Sequence, residues 1–175
     1  MNSPDARVLV WDRVVRLTHW GVASLVLWDL VEDSGGPLHR SLGYVAVALV
    51  AVRLAWGVVG SDAARFRTWV PRPSDVMRYI KALRSGNAPR YLSHNPAGAL
   101  VMLAMWALIL GLGVTGWLSR LDAFWGEDWP IQLHGLLADA LMALVILHVA
   151  AAMAMSVLHK ENLIRAMITG RKRRE

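Results

Sequence analysis

The sequence predicts an all-α integral membrane protein, a four-helix bundle with both termini in the cytoplasm. Three observations lead there. Hydrophobic residues fill 55% of the 175 positions and charged residues only 18%, a balance far to the apolar side of water-soluble domains. The apolar residues gather into four blocks long enough, or nearly so, to cross a hydrocarbon layer of roughly 30 Å as helices. Of the 19 Lys and Arg, all but Arg40 and Arg120 fall on the side that also carries both chain ends.

The first span covers about residues 14–31, with Arg16 and Asp29 near the ends of a short apolar core. It has the look of a signal peptide, but Glu32-Asp33-Ser34-Gly35-Gly36 follows it in place of a small-residue cleavage site, so it is read as a span. The second covers about 39–60. In the loop after it, Ser74-Asp75 opens and Gly86-Asn87 closes a helix over about 74–85, with Val76, Ile80 and Leu83 on one face. This segment reads as an amphipathic helix lying on the inner membrane surface. Asn95 caps the third span, 96–118, whose first helical position is Pro96. The fourth runs over about 131–158. All four belong to one transmembrane domain over 1–175, without internal repeats.

Charge fixes the orientation. The loops opposite the termini hold Asp29, Glu32, Asp33, Asp122, Glu127 and Asp128, and the positive-inside rule places the basic side in the cytoplasm. Trp28, Trp117, Trp125 and Trp129 form an outer aromatic belt, and Trp11, Trp56 and Trp69 an inner one. The basic residues face anionic lipid headgroups rather than nucleic acid. Cysteine is absent, which removes disulfides, thiolate metal sites, cysteine-held iron–sulfur clusters and thioether-bound haem.

The chemistry lies in the histidines. His134 and His148 stand fourteen residues apart in one apolar run, on one helix face, about 21 Å apart along the axis. His19 lies near the inner end of span one, level with His148. His39 opens span two on the outer side, level with His134. An isolated histidine at an interface is ordinarily a solvated polar group, but His148 is surrounded by Ile146, Leu147, Val149 and Ala150 and requires a partner, a metal or a wet cavity. Two pairs at two depths fit two bis-imidazole haems, His19 with His148 inside and His39 with His134 outside. His94 and His159 read as headgroup-level residues, near a quinone or a haem propionate. Pairing His159 instead of His148 would spread the two haems over about 37 Å of helix.

Arg53 lies fourteen residues after His39 and so on the same face, at the inner haem's depth. A haem propionate would satisfy it, as would snorkelling to the headgroups. Gly111-Leu112-Gly113-Val114-Thr115-Gly116 gives the third span a smooth face, open to a neighbouring helix or a porphyrin.

The chain resembles the bacterial di-haem cytochrome b561 family, including the cytochrome b subunits of nickel–iron hydrogenases. The resemblance is carried by Val10-Trp11-Asp12, Arg16-Leu17-Thr18-His19-Trp20, Leu38-His39-Arg40-Ser41-Leu42-Gly43-Tyr44 and Arg53-Leu54-Ala55-Trp56-Gly57. It continues through His94-Asn95-Pro96-Ala97-Gly98, His134-Gly135, His148 and His159-Lys160-Glu161-Asn162-Leu163 to Gly170. It implies two non-covalent haem b groups held by spans one, two and four, a bacterial inner-membrane location and a place in a respiratory chain. Electrons would pass between a hydrogenase-type partner or cytochrome c and a quinone. The resemblance also allows a stand-alone superoxide or quinol oxidoreductase, and the histidines themselves allow a histidine-based metal transporter. The transporter lacks carboxylates along a path, since only Asp139 lies inside a span away from its ends.

Overall fold

A computed structural model describes residues 7–32 and 34–174; Asp33, counted above among the outer acidic residues, lies outside them. Four long helices carry the fold: α1 (Arg13–Val31), α2 (Pro37–Val59), α5 (Pro96–Leu118) and α6 (Trp129–Leu158). Each is long and apolar enough to span a membrane. Their starts follow local chemistry. The Asp12 carboxylate accepts the Val15 N–H at 2.9 Å and Asn95 accepts that of Gly98 at 2.8 Å, two side-chain caps. Pro37, Pro96 and Pro130 occupy first-turn positions where a missing N–H costs nothing.

Helix α1 packs on α2, α2 on α5 and α5 on α6. Val26, Ala46, Val50, Ile109 and Leu141 meet in the centre of the bundle. Few other side chains of the four spans are buried; Leu17, Val58, Ile131, Ile146 and Val157 are all more than 60% exposed. Lipid, as apolar as leucine, is the solvent for that surface, and the helices are held by close approach. A Cβ on Gly113 would stand 2.6 Å from Val47 Cγ2, and one on Gly21 2.8 Å from Leu49 Cδ1. The smooth face of α5 is therefore used first for packing against α2.

The inner end is more built than the hydropathy pattern suggests. The 61–95 segment holds α3 (Phe66–Trp69) and α4 (Pro73–Arg84), and α7 (Leu163–Thr169) follows α6. Two short strands, β1 (Arg7–Leu9) and β2 (Arg171–Arg173), pair antiparallel with Val8 opposite Lys172, tying the two ends of the described chain together. Gly170 makes that return possible. Its φ is +78°, and a Cβ there would fall 2.4 Å from the Trp11 carbonyl oxygen. Helix α4 differs from its expected face: Tyr79 is its buried centre, with its hydroxyl 3.6 Å from Met155 Sδ, while Leu83 is 37% exposed. An apolar stripe marks where such a helix turns but not which member meets the bundle.

Candidate functional site

The four histidines expected to face one another do so. His19 of α1 and His148 of α6 have ring centroids 6.3 Å apart; His39 of α2 and His134 of α6 have theirs 6.1 Å apart. Imidazoles bound to opposite sides of one metal, with bonds of about 2 Å and centroids set back about 1.1 Å further, stand about 6.3 Å apart. Both pairs match that spacing, so each can hold one iron between two rings. On α6, Leu141 lies seven residues from each histidine, is 2% exposed and packs with Val26, Ala46, Val50 and Ile109 in an apolar cluster.

The outer pair has its tautomers set by neighbours. His39 Nδ1 lies 2.9 Å from the backbone oxygen of Glu32. A carbonyl can only accept, so Nδ1 carries the proton and Nε2 keeps its lone pair for a metal. The Asp29 carboxylate stands 3.8 Å from the same Nδ1, with Oδ1 buried and without a hydrogen-bond partner among the described residues. His134 Nδ1 is 3.0 Å from the Thr115 hydroxyl, and a Cβ on Gly116 would lie 3.4 Å from its ring. An apolar cleft lined by Val26, Gly43, Ala46, Gly113 and Ala138 opens between these two histidines.

At the inner level the orphaned atoms are basic. Arg53 is 4% exposed; it donates to the Ala64 carbonyl at 3.3 Å and lies over the Trp106 ring at 5.2 Å. Its Nη2, the Nε of Arg16 and the Nδ1 of His19 are buried without a hydrogen-bond partner among the described residues. Arg53 therefore does not snorkel. Buried guanidinium nitrogens left open toward the inner end of the bundle fit the carboxylates that a haem presents.

His94 is not a solvated headgroup residue. It sits between Trp11 and Trp69, each ring centroid 4.8 Å away, with Nδ1 sealed and unpartnered among the described residues. Burial, then the charges of Arg53 and Lys172, push its pKa down to about 3, so it is neutral. Trp11 and Trp69 are accordingly buried rather than members of an inner belt, whereas the outer Trp28, Trp117, Trp125 and Trp129 are exposed as expected. Asp12 anchors this end, accepting from Trp56 Nε1 at 2.8 Å and Ser61 Oγ at 2.5 Å. Burial works against its ionisation, but these hydrogen bonds and that of Val15 hold its pKa below the usual value. His159 caps α6 and accepts from Arg173 through its carbonyl; the structure puts His148, not His159, against His19.

The model of one family, the prokaryotic cytochrome b561, matches residues 10–170. The chain belongs to that family. It is a membrane b-type cytochrome, and its work is transmembrane electron transfer through haem b. Among curated relatives, one from Bradyrhizobium diazoefficiens, named a probable Ni/Fe-hydrogenase B-type cytochrome subunit, is 22% identical over 94% of this chain and 85% of the relative. Proteins of the same name from Rhizobium leguminosarum bv. viciae and Azotobacter vinelandii are 21% and 24% identical, over 94% and 93% of this chain and 88% and 87% of their own. No solved structure matches the chain significantly.

Sequence reasoning missed Thr115 and the Glu32 carbonyl, the groups behind the two outer histidines. A threonine five turns along a span without histidines gives no signal of its own, and a backbone oxygen gives none at all.

Proposed function

We propose that this cytochrome carries two haem b groups, the inner held by His19 and His148 and the outer by His39 and His134, with Arg53 facing the inner propionates. The observation that carries the reading is the pair of centroid separations, 6.3 and 6.1 Å, each the spacing of two imidazoles across one metal. When bound, haem iron supplies a reversible one-electron couple; the protein supplies the rest. His39, with Nδ1 on the Glu32 carbonyl, and His134, with Nδ1 on Thr115, leave Nε2 to bind iron. Val26, Val50, Ile109 and Leu141 exclude water between the levels and keep the dielectric low. Arg53 offsets the negative charge of carboxylates in that dry setting.

In this reading the protein sits in a bacterial inner membrane with its basic face to the cytoplasm. It passes electrons between a hydrogenase-type partner, as the names of its relatives indicate, and a quinone of the respiratory chain; cytochrome c is the other redox partner of the right kind. Proteoliposomes with ferricyanide trapped inside and a quinol outside test it. Wild type should reduce the trapped ferricyanide, and His148→Ala and His134→Ala should each abolish that reduction. Undiminished reduction in both variants would contradict the two-haem path.

A further inference from the structure

Thr115 makes three contacts through one hydroxyl oxygen: the Gly111 carbonyl at 2.9 Å, the Leu112 carbonyl at 3.2 Å and His134 Nδ1 at 3.0 Å. A hydroxyl has one proton. Both carbonyls only accept, so that proton goes to the helix backbone, and the oxygen's lone pair is left to face the imidazole. His134 Nδ1 must then be the donor, and its Nε2 is the bare nitrogen. Thr115 is 4% exposed, so no water competes for the contact. The ring has little freedom to turn away, because Gly116 brings the α5 backbone against its edge.

We propose that Thr115 is a positioning residue for the outer haem. Its hydroxyl fixes the tautomer and rotation of His134 and, by accepting the Nδ1 proton, makes that imidazole a stronger donor to iron. This rests on His134 being an outer ligand. A more basic ligand stabilises ferric iron, so the contact lowers the outer haem's potential. The outer level repeats the device through a different group, the Glu32 carbonyl on His39, whereas His19 Nδ1 at the inner level has no hydrogen-bond partner among the described residues. The two levels thus differ in what stands behind their ligands.

Haem-resolved redox titration of the purified holoprotein decides it. Thr115→Val, which keeps the shape and loses the oxygen, should raise the outer haem's midpoint potential and leave the inner haem and the bis-histidine spectrum unchanged. Thr115→Ser should return the potential to the wild-type value. Equal potentials in wild type, Thr115→Val and Thr115→Ser would overturn the proposal. His134→Ala separates this from the ligand assignment: if it retains both haems, the assignment itself has failed. The unmodified protein gives a test that needs no stable variant. In the reduced state, with ¹⁵N-labelled histidine, His134 Nδ1 should bear a slowly exchanging proton; an unprotonated Nδ1 would overturn the proposal.

Discussion

Replacing Arg53 with glutamine removes a positive charge from a place where water cannot screen it, since the side chain is 4% exposed. The reduced haem is more negative by one charge than the oxidised, so an arginine nearby favours reduction. At a separation of about 10 Å and an effective dielectric of about 20, the interaction is about 1.7 kcal/mol. For a one-electron couple that is a fall of about 70 mV in the inner haem's midpoint potential. The outer haem, about 21 Å further along the axis, should fall by no more than about a third of that. Arg53→Lys keeps the charge but loses the fork and the stacking on Trp106, so it should shift the potential less. Spectroelectrochemical titration resolves the two haems. An inner potential that does not move in Arg53→Gln would refute the placement of Arg53 beside the inner propionates, and a shift confined to the outer haem would refute the depth assignment.

Each histidine pair should fail as a unit. His19→Ala or His148→Ala should lose the inner haem and keep the outer, His39→Ala or His134→Ala the reverse, while His159→Ala keeps both; spectra of the purified variants read this directly. Glu161, itself buried, accepts from Arg90 and from the Arg173 N–H and faces the buried Lys172, so Glu161→Ala should cost about 3 kcal/mol and expose the C-terminal strand to protease. Burial raises the Glu161 pKa, but these partners bring it below its ordinary 4.5; its contribution is therefore complete above pH 4.5 and lost as pH falls through the lower folded value. His94 behaves as a base that folding keeps neutral. The unfolded chain takes up its proton below about pH 6.5 and the folded one only near 3, so stability falls as pH drops across that window. Thermal melts of His94→Phe should show a flatter profile between those values, and an unchanged slope would count against the burial of His94.

The long elements were legible because a membrane demands continuous apolar helices. Spans expected at 14–31, 39–60, 96–118 and 131–158 form at Arg13–Val31, Pro37–Val59, Pro96–Leu118 and Trp129–Leu158, with the differences falling at proline and aspartate caps. The histidine pairs were legible for the same reason. Straight helices convert residue number into depth, so His19 and His39 could be set level with His148 and His134 before any packing was known. What escaped was what depends on contacts across the fold: the strand pair that joins the two ends, the tryptophans closing on His94 and the hydroxyl behind His134. Trp11 and Trp69 carry the composition of a belt, and only the position of His94 draws them inward.

The number of haems bears most directly on the account. Protein purified in mild detergent should give close to two haem b per chain by pyridine haemochrome, all of it extractable into acidic acetone because no cysteine can hold it covalently. A redox titration of the same sample should resolve two one-electron steps of similar amplitude. One haem per chain, in a single step, would contradict the pairing of four histidines at two levels.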